Sequence, residues 1–343
     1  MVETASLGFG RVFSEHMVTS RWTPAEGWSA LEAEKRRPLD LDPAATVLHY
    51  GQSVFEGLKA YRQPDGSVGV FRPEANARRF QHSARRLALP ELSVADFVSS
   101  IDMLIEVDAA AVPSGPEQSL YLRPLMFGAG SHLGARPSQD VRYLLIASPV
   151  DSYFAGGIHP VSIWLAKDYV RAALGGTGAA KCSVNYAAGL AAQQQAAAEG
   201  CEQVLFLDAV ERRWLEELGG MNIFLVAADG TLITPALSGT ILEGVTRDSL
   251  ITLARDRGRP VEERGVSFEE WREGVESGRL SEAFACGTAA VITPIGRVRW
   301  RGGEMVMGDG RTIGPVVTEL RQALLDIQYG RTPDPHSWVH RAG

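Results

Sequence analysis

At 343 residues, with 45% apolar residues, 22% charged residues and 36 glycines, the chain reads as an ordinary turn-rich globular protein, neither disordered nor fibrous. It exceeds the length at which a single core usually stops growing, so two domains are expected. The net charge of -7 argues against a nucleic-acid-binding surface as the main business, and an anionic ligand then requires a local cationic pocket.

The first forty or so residues are irregular and rich in Pro, Trp and charge (TPAEGWSALEAEKRRPLDLDP), which suggests an arm packing on something larger. The opening run MVETASLGFGRVFSEHMVTS lacks a cationic start followed by an apolar core, so no signal peptide is expected. Thr46–Tyr50 reads as a short strand, and residues 59–61 and Val68–Phe71 flank Gln-Pro-Asp-Gly, a hairpin signal. Residues 76–87 carry Ala77, Phe80, Ala84 and Leu87 at three- and four-residue spacing, which predicts an amphipathic helix ending before Pro90; 93–107 has the same character. Residues 119–127 and Val141–Val150 are β-rich and close a first α+β domain, 1–150.

The segment DSYFAGGIHP, 151–160, is the best linker, and 161–343 forms the larger C-terminal domain. Within it Val161–Ala166 and 204–207 read as strands around an Ala/Gln-rich helix that stops at Gly200. Residues 222–228 and 231–234 flank Asp229-Gly230 as a second hairpin. Ser267 and Glu270 make a capping box ahead of a helix around Trp271, and 318–327 is a final helix with Leu320, Leu324 and Ile327 on one face. Strands and helices mix in both halves without strict βαβ alternation, so the fold class is α+β rather than a doubly wound sheet.

Cys182, Cys201 and Cys286 are an odd number with no close-spaced pair, which suits a reducing compartment and gives no disulfide framework or metal-ligand pattern. No run approaches about 18 consecutive apolar residues, so no membrane span is expected, and a cytoplasmic protein follows.

Lys181 lies in GTGAAKCSVNY, among small apolar residues that strip water from its ammonium and favour the amine as a nucleophile. A phosphate-loop reading of GGTGAAK fails, because Ala180 and Cys182 flank the lysine where Gly and Ser or Thr belong. Gly176-Thr177-Gly178 lacks the third glycine of a dinucleotide fingerprint, and neither HExxH nor GxSxG occurs. A Schiff-base lysine needs that desolvation, and the competing reading is a surface lysine at a loop-to-helix junction. Pyridoxal phosphate chemistry adds three requirements: an acid at the ring nitrogen, a donor to the ring hydroxyl and an anion cup. Tyr186 is a candidate donor. Glu217 in WLEELGGMNIF is the candidate acid, with Glu216 its competitor. Gly244-Val245-Thr246 opens a helix whose free N–H groups and dipole favour phosphate; Gly287-Thr288 is a second small-residue turn, and Arg79 a candidate countercharge.

With those residues in place, the chain resembles the branched-chain amino acid aminotransferases of the class IV, fold type IV pyridoxal-phosphate enzymes. The resemblance runs from LHYGQSVFEGLKAY through FRPEANARRF, LYLRPLMFGAG, KCSVNY, GCEQVLFLDA, EELGGMNIF, TPALSGTILEGVTR and EAFACGTAA to IQYG. It implies a two-domain fold like that of D-amino acid aminotransferase, with 161–343 binding the cofactor. Lys181 is then the Schiff-base lysine and general acid/base, Tyr186 meets the ring oxygen and Glu217 the ring nitrogen. Arg79, Val245, Thr246 and Thr288 hold the phosphate. Tyr50, Phe55, Tyr121 and Tyr153 fall on the substrate pocket, and Arg123 on the residue that meets the distal carboxylate of glutamate. Gly287-Thr288-Ala289 matches the turn whose amides hold the substrate carboxylate. His132, Leu133 and Ala135 fall in a loop that reaches a neighbouring subunit, which implies a homodimer.

The implied reaction is ping-pong transamination between leucine, isoleucine or valine and 2-oxoglutarate, giving branched 2-oxo acids and glutamate. Two departures stand out. Gly220 replaces the Thr of several relatives near the substrate carboxylate, and Ala290-Val291-Ile292-Thr293 replaces a redox CxxC. Another type IV activity, such as a D-amino acid aminotransferase or aminodeoxychorismate lyase, is the competing enzyme reading. A non-catalytic binding protein is opposed by Lys181, Tyr186, Glu217 and Arg79 occurring together.

Overall fold

The computed structural model describes residues 8–151 and 157–343. In chain order the first elements are β1 (His16–Thr23), β2 (Gly27–Trp28), β3 (Glu32–Lys35), α1 (Thr46–Tyr50), β4 (Ser53–Phe55), β5 (Leu58–Arg62), β6 (Val68–Phe71), α2 (Pro73–Arg86), α3 (Val94–Asp108), β7 (Ser119–Gly128) and β8 (Val141–Val150). Then come β9 (Val161–Ala166), α4 (Ser183–Ala198), β10 (Gln203–Leu207), β11 (Leu215–Leu218), β12 (Asn222–Ala227), β13 (Leu232–Thr234), α5 (Val245–Asp256), β14 (Val261–Glu263) and α6 (Phe268–Glu276). The chain closes with β15 (Leu280–Gly287), β16 (Val291–Trp300), β17 (Gly303–Val306), α7 (Pro315–Gln328) and β18 (Val339–Ala342). Two compact units divide the chain: Met1–Ala155 with Ala180–Val184 and Asp326–Gly343, and Gly156–Ala179 with Asn185–Leu325. Where the sequence suggests two continuous stretches, the chain returns twice to the first unit. Cys182 bridges Val54, and β18 pairs with β6. Most of the expected linker, 152–156, lies outside the described residues.

The first unit is built on a sheet ordered β18-β6-β5-β7-β8-β1-β2, with β3 on β1 and β4 on β7. Within the described part of the N-terminal arm, residues 16–35 therefore form strands rather than irregular chain. β1 runs antiparallel to β8, pairing Val18 with Leu145 and Ser20 with Tyr143, and buries Met17 and Val18. Thr46–Tyr50 also departs from expectation, forming α1 rather than a strand. Its β-branched and aromatic residues favour extension only weakly over so short a window. The turn is closed by Gly51, whose N–H donates to the Val47 carbonyl from the left-handed region (φ 60). The strand that follows this turn, β4, begins only at Ser53. The Gln63–Gly66 turn joins β5 to β6 as predicted, with Gly66 at φ 85. Helices α2 and α3 lay Phe80, Phe97 and Ile101 into one apolar cluster with Leu122 and Leu145. There the buried Tyr143 hydroxyl is satisfied by Ser100 at 2.7 Å.

In the second unit, strands β11-β10-β9-β16-β15-β12 are neighbours in that order, and a further β11–β12 pairing closes them into a ring. The closing pair is Glu217 with Asn222. The turn before β11 is wound around Asp208, whose carboxylate accepts N–H groups from Val210, Glu211, Arg213 and Trp214. Although burial opposes it, this N–H shell holds the Asp208 carboxyl down at about 2. Phe224 and Phe284 stack face to face at 5.0 Å between the neighbouring β12 and β15. The capping box at α6 is half present. Ser267 accepts the Glu270 N–H at 3.0 Å, but the Glu270 carboxylate turns to Arg264.

Candidate active site

Lys181 belongs to the first unit, two residues before α4. Its backbone is pinned on both sides: its N–H donates to Ser83 Oγ at 2.8 Å, and its carbonyl accepts the Phe55 N–H at 3.0 Å. The side chain is half-buried, with Nζ lying 5.0 Å from the centre of the Phe55 ring. The same ring lies 4.8 Å from the Arg123 guanidinium, and Arg123 Nη2 donates to the Tyr121 hydroxyl at 3.0 Å. Phe55, Tyr121, Arg123 and Lys181, separated in sequence, thus form one group. Its shape depends on Gly57, where a Cβ would fall 2.0 Å from the Tyr121 hydroxyl.

Arg79, on α2, makes a two-point ion pair with Glu56: Nε to Oε1 and Nη2 to Oε2, each at 2.7 Å. Glu56 is wholly buried and Arg79 nearly so. The pair is tied to the lysine through Ser83, which donates to the Arg79 carbonyl at 2.9 Å and accepts from Lys181. Tyr50 stands further out. It is exposed, and its hydroxyl donates to the Leu133 carbonyl in the loop after β7. In that loop His132 Nδ1 is 2.8 Å from the Gly134 carbonyl, and the Leu133 side chain is exposed. Tyr153 lies outside the described residues.

In the second unit, β11 puts Glu216 and Glu217 on opposite faces, as successive strand residues must be. Glu217 is 1% exposed. Its Oε1 accepts the Leu242 N–H at 2.7 Å and lies 2.9 Å from Arg171 Nη1, and Asn222 Nδ2 donates to its Oε2 at 3.4 Å. Glu216 accepts the Thr240 hydroxyl at 2.5 Å, while burial pushes its carboxyl up against the opposing effects of that bond and of Arg171. Asn222 also donates to the Leu242 carbonyl at 2.9 Å. Gly244 caps α5 without a side chain, and a Cβ there would fall 2.0 Å from Asn222 Oδ1. The first turn of α5, with Val245 and Thr246, therefore starts against a side chain that also holds Glu217.

Tyr186 is half-buried on α4, and a Cβ on Gly220 would meet its Cε1 at 3.6 Å, an ordinary contact. Gly220 has no positive φ, so neither backbone nor clash demands glycine there, and its effect is the space left beside Tyr186. A Cβ on Gly287 would lie 3.5 Å from the Gly220 carbonyl, which brings the 288–290 turn to the same place. Thr288 and Ala289 are half-buried in that turn. The next residue but one, Val291, sits in the left-handed region at φ 62, a strained setting for a β-branched side chain.

Five participants escape the sequence reading. Glu56, Ser83 and Arg171 carry no local signal, because Arg79, Lys181 and Glu217 lie far from them in sequence; Asn222 is close to Glu217 in sequence but also meets the Leu242 carbonyl across 20 residues. Phe9, in the N-terminal arm, packs edge-on against Tyr121 with ring centres 4.9 Å apart.

Known proteins resemble this chain in sequence and in fold. The model of the amino-transferase class IV family matches residues 53–298. The probable branched-chain-amino-acid aminotransferase of Streptomyces coelicolor is 54% identical over 337 residues, spanning 98% of this chain and 92% of its own length. Among solved structures, the branched-chain amino acid aminotransferase of Escherichia coli superposes with a TM-score of 0.79 at 28% identity, covering 96% of this chain and all (100%) of its own. A second solved branched-chain amino acid aminotransferase, from T.th. and with pyridoxamine 5'-phosphate, gives 0.80 at 25% identity, covering 97% of this chain and 100% of its own. Similarity in sequence and in fold over nearly the whole length leads to one conclusion: the chain belongs to the class IV aminotransferases.

Proposed function

We propose that this chain is a pyridoxal-phosphate-dependent branched-chain-amino-acid aminotransferase that exchanges the amino group of L-leucine, L-isoleucine or L-valine with 2-oxoglutarate, forming L-glutamate. The observation that carries this reading is the Phe55 ring shared by the Lys181 amine and the Arg123 guanidinium. An amine, an aromatic wall and a cation in one group suit a pocket that must take both an aliphatic side chain and a second carboxylate.

The residues also fit the cofactor. Lys181 supplies the amine, Glu217 a sealed carboxylate for a ring nitrogen, and Tyr186 a phenol for the ring oxygen. The first turn of α5 supplies N–H groups that no side chain caps, which suits a phosphate. Thr288 adds a hydroxyl, and Arg79, held in direction by Glu56 along its Nε–Nη2 edge, adds a guanidinium as countercharge. When bound, pyridoxal phosphate supplies the carbonyl that exchanges with the substrate amine and the ring that accepts the electron pair left by the α-proton. Lys181 would hold the cofactor through its Nζ and, when that amine is free, would carry the substrate α-proton. Glu217 keeps a negative charge at the ring nitrogen, and the N–H groups of the 288–290 turn orient the substrate carboxylate. Phe55, Tyr121 and Tyr50 exclude water from the aliphatic side chain, with Phe9 backing Tyr121.

The reading extends to a homodimer in the cytoplasm, supported by the exposed Leu133 in the loop after β7 and by three free, buried thiols. A coupled assay tests it. Glutamate should form from 2-oxoglutarate with L-leucine, L-isoleucine and L-valine, whereas turnover of D-alanine without L-leucine would overturn the assignment.

A further inference from the structure

Arg171 lies between β9 and α4, is 5% exposed, and directs a single nitrogen at three oxygens of different segments. Its Nη1 stands 2.9 Å from Glu217 Oε1, 2.9 Å from the Thr240 carbonyl and 3.2 Å from the Gly178 carbonyl. Its Nε has no hydrogen-bond partner among the described residues, so the guanidinium is placed for those oxygens rather than for its own saturation. A buried carboxylate stays ionised only where a cation or several donors offset the lost hydration, and Glu217 has Arg171 as its ion-pair partner.

Thr240 is gripped a second time. Its hydroxyl donates to Glu216 and lies 2.7 Å from Ser238 Oγ, while its carbonyl accepts from Arg171. Two residues on, Leu242 donates its N–H to Glu217 and its carbonyl accepts from Asn222 Nδ2. The seam has little slack, since a Cβ on Gly178 would fall 2.3 Å from the Thr240 carbonyl. Residues 240–242 lead straight into Gly244 and α5. Burial pushes the carboxyl of neighbouring Glu216 up, against the opposing effects of the Thr240 hydroxyl and of Arg171.

We propose that Arg171 is a positioning residue for the cofactor site: it fixes the charge and direction of Glu217 and, through the Thr240 carbonyl, locks that carboxylate to the segment that starts α5. The proposal rests on the reading that Glu217 faces the cofactor ring nitrogen. Arg171 then acts on the cofactor only through Glu217 and the 240–246 segment.

The test is a double-mutant cycle on the affinity of the apoprotein for pyridoxal phosphate, measured by fluorescence quenching, with Arg171→Gln, Glu217→Gln and the pair. Arg171→Gln should weaken binding on the order of tenfold or more, the usual scale when one partner of a buried charge pair is lost. Arg171→Lys, which keeps the charge without the fork, should restore part of it. In the Glu217→Gln background, removal of Arg171 should cost several-fold less than in the parent, because the charge it serves is gone and only its bond to the Thr240 carbonyl is lost. An equal loss in both backgrounds would overturn the proposal and make Arg171 merely structural. Unaltered affinity in Glu217→Gln itself would instead strike the assignment of Glu217. Should Arg171→Gln not fold, the same cycle with Arg171→Lys must show a smaller coupling of the same sign, and zero coupling counts against the proposal.

Discussion

Lys181 and Glu217 are both prominent in the sequence, yet the protein houses them in opposite ways. Glu217 is sealed from water and gripped on its carboxylate oxygens by Arg171, Leu242 and Asn222. Lys181 is gripped by its backbone, through Ser83 and Phe55, while its half-buried side chain extends along an aromatic face. The difference matches two kinds of work. A group that must hold a charge at one point gains from fixed donors and exclusion of water. A group that must be attached, displaced and then carry a proton needs an anchored root and a tip able to move.

The largest contrast is expected from removing each side chain. Lys181→Ala should abolish transamination with little change in thermal unfolding, because a half-exposed amine leaves no sealed charge behind it. Glu217→Ala should also inactivate, but it strands Arg171 and should cost about 3–5 kcal/mol in denaturant unfolding. Equal stability losses in the two variants would break the comparison.

A smaller effect should appear on acidification. Asp208 organises the turn that delivers β11 and Glu217, and its carboxyl is held at about 2 by the surrounding backbone N–H groups. Its folded value is depressed, so its contribution is complete above the unfolded value of about 3.9 and fades as pH falls toward the folded one. Amide exchange in β11 should therefore accelerate across that window while exchange around Lys181 does not, and Asp208→Asn should remove the difference. Uniform acceleration in both regions would contradict a local role for Asp208.

Much of this is readable from the chain because the chemistry is local. Lys181, Tyr186 and Glu217 sit in compact motifs, and the two hairpins announce themselves through Pro-Asp-Gly and Asp-Gly. What is not readable depends on distance. Ser83 meets Lys181 across 98 residues, and Glu56 meets Arg79 across 23 with no periodic signal. The arm looks irregular in sequence because β1 is completed by β8, whose pairing residues lie far downstream. Thr46–Tyr50 misleads because five residues cannot distinguish a helical turn from a strand before Gly51 closes it. Arg171 shows the same limit, since nothing in YVRAAL marks it as the partner of a carboxylate in β11.

The most direct test of the central claim is to reduce the purified, cofactor-loaded protein with borohydride, digest it and locate the pyridoxyl group by mass spectrometry. The chain offers Lys35, Lys59 and Lys167 as internal controls. The account predicts the modification on the peptide containing Lys181 and its absence from the other three. A stoichiometric adduct on any of those lysines, or none on Lys181, would contradict it.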